Sequence, residues 1–184
     1  MTILNRALAA LALLVALAVP AVAQDLTEAQ QTALTERVES FDTAMRENDM
    51  QTVMGVVPPK VLEKIAAQSN LSVDDLLAAM QAQMDEIMGK VEIVSFGMEL
   101  DGVEYTTFDS GIVYGMIPTE TVIDLGADAG GKMRATSKTL GLLDGDTWYL
   151  VRIDDPAQVA IIKEIYPDFA DVEFPAGTVE PVTE

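Results

Sequence analysis

From residue 26 onward the apolar positions recur first with the period of a helix and later with that of a strand. Leu34, Val38, Phe41 and Met45 fall at i, i+4, i+7 and i+11, one stripe along an amphipathic helix. Thr27 and Gln30 precede that stripe in the T-x-x-Q form of a capping box, and Glu47-Asn48-Asp49 closes it. Met50 to Val57 predicts one or two more turns, ended by Pro58-Pro59. Val61, Leu62, Ile65 and Ala66 mark a short helix that stops near Asn70. Ser72 with Asp75 three positions on predicts a new start, with Leu71 stapled against Leu76. That helix carries Leu76, Leu77, Met80, Met84 and Met88 and ends at Gly89.

The second half alternates. Residues 91–100 are rich in β-branched and aromatic side chains, with Val94, Phe96 and Met98 on one face. Asp101-Gly102 predicts a two-residue hairpin that pairs Leu100 with Val103, Met98 with Tyr105 and Phe96 with Thr107. Residues 112–117 predict a strand that Pro118 interrupts and that resumes over 121–125. After a Gly-rich loop, residues 133–143 and 147–153 predict a hairpin about Asp144-Gly145. Its register sets Leu140 against Tyr149 and Gly141 against Trp148, where the ring would cover bare backbone. Asp155, Pro156 and the apolar Val159, Ile161, Ile162 and Ile165 then predict a short terminal helix. Helices followed by hairpin-linked strands predict an α+β fold, with N-terminal helices on one face of a curved antiparallel sheet and a short C-terminal helix and tail.

The ends change the picture. Residues 1–23 have the three parts of a secretory leader: a short positive start at Arg6, an apolar run from Ala7 to Val19, and the small-x-small triplet Ala21-Val22-Ala23. The expectation is cleavage after Ala23 and a periplasmic or secreted protein. The apolar run is shorter than the roughly twenty residues a spanning helix needs, so no stable membrane anchor is expected. Residues 24–167 would form one domain, and residues 168–184, acidic and without Lys or Arg, a flexible tail.

Without the leader, ten basic residues face thirty acidic ones, a net charge of −20. Such a surface repels nucleic acid and anionic membranes, so neither is an expected partner. The chain has no Cys and no His. That excludes Ser-His and Cys-His nucleophile pairs, ordinary zinc sites and an imidazole base, leaving carboxylates, tyrosines and lysines for any catalysis. No cofactor is implied.

The order of elements resembles the NTF2-like superfamily over about residues 26–153. The points of likeness are a long helix ending in Glu47-Asn48-Asp49, short helices, and a meander finishing in Asp144-Gly145-Asp146-Thr147-Trp148-Tyr149-Leu150-Val151-Arg152. The Gly-x-x-Trp followed by an apolar strand is the most recognisable of them. The resemblance implies a cone in which a bent sheet wraps the long helix and encloses a pocket. The chain departs from that pattern in its longer second helical region and in the helix and tail after the last strand. The family holds isomerases, dehydratases and non-catalytic binders, so membership does not settle activity. Its ketosteroid-isomerase-like members use an Asp base with a Tyr and a protonated Asp; no position of this chain is matched to them.

Met98, Tyr105, Tyr114, Met116 and Trp148 lie on strands whose alternation could turn them toward one interior, either as a pocket lining or as plain core. The leading expectation is a non-catalytic exported protein that binds a small apolar ligand or an envelope protein through the concave sheet face. One alternative is an acid-base isomerase or lyase using a carboxylate and a tyrosine. Another is a Cu(I) binder built from Met45, Met50, Met54, Met80, Met84 and Met88, although such a stripe equally serves as flexible core. The acidic turns at 124–128 and 144–146 lack the spacing of a calcium loop, so no metal site is assigned. Glu99 and Glu104 would face one another across the first hairpin, a mildly unfavourable pair.

Overall fold

The computed structural model describes residues 25–47, 49–126 and 129–182. The leader and its cleavage site, the helix-closing Asn48, and residues 127–128 of the first acidic turn lie outside these.

Thr27 and Gln30 form the expected box: the Thr27 N–H donates to Gln30 Oε1 at 3.0 Å and the Gln30 N–H to Thr27 Oγ1 at 3.3 Å. Helix α1 follows over Glu28–Glu47. Asp49 caps α2 (Met50–Gly55), accepting from the Thr52 N–H at 3.2 Å. Pro59 opens α3 (Pro59–Gln68), and Asn70 beyond its end takes a left-handed φ of 54°. Ser72 caps α4 (Val73–Met88), accepting from the Asp75 N–H at 3.1 Å. Leu76 is buried, whereas Leu71 is exposed. Asp155 caps α5 (Pro156–Ile165).

The fold is α+β, with a strongly curled antiparallel sheet of six strands. They are β1 (Glu92–Met98), β2 (Tyr105–Thr107), β3 (Val113–Asp124), β4 (Lys132–Asp144), β5 (Thr147–Arg152) and β6 (Thr178–Pro181). The long strands β3 and β4 pair along their whole length, from Val113 with Leu143 to Asp124 with Lys132. Two short strands flank each of them. On β3, β2 pairs with residues 113–115 and β1 with residues 119–124. On β4, β5 pairs with residues 139–144 and β6 with residues 133–136.

Four expectations are corrected. First, β1 and β2 do not form a hairpin with each other: Met98 pairs with Thr119, Phe96 with Thr121, Tyr105 with Gly115 and Thr107 with Val113. Glu99 and Glu104 are therefore not cross-strand neighbours, and Glu99 instead accepts the Asp101 N–H at 3.0 Å. The turn at 100–103 does form, the Val103 N–H reaching Leu100 O at 3.4 Å, but only Gly102 in it has positive φ (74°). A positive φ at the second central position alone is the type II pattern, whose twist splays strands rather than pairing them.

Second, the other hairpin turns one residue later, with Asp144 paired to Thr147 around Gly145-Asp146. Gly145 (φ 66°) now holds the first central position, as type II′ requires, so Leu143 faces Trp148 and Gly141 faces Leu150. Third, Pro118 does not interrupt β3. It lies opposite the place where β1 ends, so its missing N–H falls where the ladder is already broken, and its carbonyl accepts the Glu99 N–H at 3.0 Å.

Fourth, helices cover both faces of the sheet. On one face Val113, Ile117, Leu143, Trp148 and Leu150 pack with Leu34 and Val38 of α1. On the other, Leu140, Leu142, Val151 and Ile153 pack with Val61 of α3, Ile162 of α5 and Phe169. The segment expected as a loose tail supplies part of that second core. Phe169, in a 3₁₀ turn over Pro167–Phe169, is fully buried, and β6 extends the sheet. Its acidic composition masked the apolar anchors Phe169, Val172 and Phe174.

Candidate functional site

The two sheet faces separate the five candidate side chains. Met98, Tyr105 and Trp148 belong to the α1 face, while Tyr114 and Met116 belong to the α5 face. Strand alternation is the cause: residues one apart on β3, or joined by an odd register step between strands, point to opposite sides. Tyr114 stacks on Phe108 (centroids 4.9 Å) and meets Phe169 edge-on (5.0 Å), within a packed aromatic cluster.

On the α1 face the middle of the sheet is filled. Ile117 and Trp148 are buried beneath Leu34 and Val38, and the Trp148 indole N–H donates to Gln30 O of α1 at 3.0 Å. This bond fixes the start of α1 against β5. Toward the sheet edge the filling ends. Between the start of α1 and the turn at 100–104 lies a groove of about 540 Å³, its floor made by Leu26, Leu34, Leu100, Val103 and Tyr105. Gln31 and Thr35 of α1 border it, as do the carboxylates Asp25, Asp101 and Glu104. Hollows of about 510 and 630 Å³ lie between α4 and β1 and between α5 and the C-terminal segment. Neither reaches any of the five candidates.

Tyr105 is the one candidate that lines this groove. It is held from behind: its ring lies over Gly115, where an added Cβ would sit 2.7 Å from the ring carbons, and it meets Trp148 edge-on at 6.1 Å. The aromatic-over-glycine arrangement expected at Gly141 thus occurs at Gly115, while Gly141 leaves room for Ile117. Burial pushes the Tyr105 hydroxyl above the ordinary tyrosine range, and it has no hydrogen-bond partner among the described residues. Leu26, Leu100 and Val103 are the lining residues that sequence reasoning missed. For Leu100 and Val103 the signal is the Asp101-Gly102 turn, expected as a hairpin tip and found as a groove wall; Leu26, ahead of α1, carries no such signal.

Elsewhere one tyrosine meets a carboxylate. The Tyr166 hydroxyl donates to Asp144 Oδ2 at 3.1 Å, and Lys60 Nζ donates to the same oxygen at 2.9 Å. Burial, then the Asp144 charge, pushes the Tyr166 hydroxyl far above its usual range. The group ties α3, the β4–β5 turn and the end of α5 together, and it lies outside the groove.

Met45, Met54 and Met84 gather around buried Ala44, Met50 and Val53, where flexible thioethers fill the angle between α1, α2 and α4. Met80 and Met88 are half-buried on the same side of α4. Among the described residues no group of three or more acidic side chains is placed to hold a metal ion. Among them, too, no helix is long and apolar enough to cross a membrane. Comparison of the chain with family models, with curated proteins and with solved structures gives no match.

Proposed function

We propose that this chain is an exported, non-catalytic binding protein of NTF2-like type that holds a small apolar ligand on the α1 face of its curled sheet. The observation that carries this reading is the groove beside Tyr105. Its volume of about 540 Å³ falls within the range of ligand sites, and an apolar floor with one rigid, amphipathic aromatic suits an apolar body with few polar contacts. The leader pattern of residues 1–23 supports export. The absence of His and Cys, and the engagement of the Tyr166–Asp144 contact with Lys60, weigh against acid-base catalysis.

The test is native mass spectrometry of gently purified protein, in which a bound small molecule is expected. Val103→Trp, which fills the groove from its half-buried wall, should abolish that added mass and leave the circular dichroism unchanged. A wild-type protein that carries nothing and takes up no apolar probe ends this reading.

A further inference from the structure

The border of the groove selects the charge of its occupant. Asp25, Asp101 and Glu104 line it, and among the described residues no Lys or Arg does. None of the three is in an ion pair among the described residues, whereas Asp42, Glu86, Glu120, Asp144, Asp154 and Glu164 are. The opposing influence is the N-terminus of α1, whose partial positive charge favours anions. Its first donors are turned inward, however, because Gln30 accepts from Thr27 and Thr27 accepts from Gln30 within the capping box. What an entering ligand meets is therefore the half-buried Leu100, Val103 and Tyr105 ring, with the nearly covered Leu26 and Leu34 behind them, and three carboxylates without an ion pair among the described residues.

We infer that the ligand of this groove is a cationic amphiphile, an alkylammonium-type molecule. Its apolar body lies on the half-buried Leu100 and Val103 at the margin of Leu26, and its cationic head lies toward Tyr105, Asp101 and Glu104. This rests on the reading of the groove as a binding site. An ammonium is attracted both by the carboxylates and by the face of an aromatic ring. A carboxylate or sulfate head would meet like charge at every acidic position of the border. Because Asp101 and Glu104 flank the same turn as the apolar Leu100 and Val103, head and body are recognised by one short segment.

The test uses the full mature chain and three probes with the same chain length, all below their micellar concentrations: dodecyltrimethylammonium, neutral dodecyl maltoside and dodecyl sulfate. Titration is followed by calorimetry and by the fluorescence of Trp148, the protein's one tryptophan, which touches Tyr105. The cation should bind about tenfold tighter than the neutral probe, the anion weakest, and the preference should shrink with added salt. The double variant Asp101→Asn/Glu104→Gln should erase the preference while retaining neutral-probe binding. Glu36→Gln/Glu39→Gln, exposed on α1 away from the groove, should leave it intact, which separates the border from the protein's overall negative charge. Equal binding of the cation and the neutral probe overturns the inference and leaves the groove reading standing. A preference lost equally in both double variants also overturns it, and failure of all three probes overturns both.

Discussion

The two faces of the sheet are built from the same strands and differ in how they are closed. On the α5 face Phe169 is surrounded by Phe108, Tyr114, Tyr166 and Phe174, with ring centroids 5.0–6.3 Å away, and the cluster is sealed by the C-terminal segment. On the α1 face one helix covers the centre, and the sheet edge beside it is interrupted where the chain leaves β3 between β1 and β2. The aromatic cluster fills the middle of its face, and the hollow of about 630 Å³ on that side lies outside the cluster, between α5 and the C-terminal segment. A face closed by a single helix leaves an opening wherever an edge strand departs. The groove beside Tyr105 thus follows from edge topology rather than from how apolar a face is.

The largest test of that contrast breaks the closed face. Phe169→Ala should cost about 3–5 kcal/mol in chemical denaturation, the usual loss for a fully buried aromatic ring. A loss under about 1 kcal/mol would mean that the C-terminal segment does not seal the core. On the open face, Gly115→Ala would push a Cβ into the Tyr105 ring, costing about 1–3 kcal/mol and displacing the groove's rigid wall. Ligand uptake should fall with it; unchanged uptake would show that Tyr105 does not position the ligand.

A pH series sharpens the comparison. Tyr105 and Tyr166 both hold their protons more tightly in the fold than an exposed tyrosine does, Tyr166 the more so. Above about pH 10 the unfolded chain releases these protons and the folded one retains them. Stability should therefore be complete below that point and decline as pH rises through the folded-state values. Tyr166→Phe should flatten the decline more than Tyr105→Phe, as read from urea midpoints and phenolate absorbance. Midpoints that do not move between neutral and strongly alkaline pH would contradict this. The smallest effect belongs to neither face: Asp49→Ala, which removes the α2 cap, should cost about 1 kcal/mol. That loss should be visible in the thermal midpoint without change in ligand uptake.

The helices were legible because their signals are local. Thr27/Gln30, Ser72 and Asp155 satisfy backbone donors within three residues, so the sequence suffices to place these helix starts; Asp49, expected to close α1, does the same for α2. The groove was legible only in Tyr105. Its other walls come from Leu26, just ahead of α1, and from a turn whose role depends on which strand it lies against.

By itself the sequence determined the α+β order, the helix caps, a positive-φ glycine in each Asp-Gly pair, and an acidic chain without Cys or His. Tertiary structure alone decided what each Asp-Gly turn would join. A glycine permits positive φ, but whether it occupies the first or second central position is set by which partners the flanking strands find. At Gly145 those partners were each other. At Gly102 both flanking segments paired with β3 instead, and the turn they left between them became the wall of the groove.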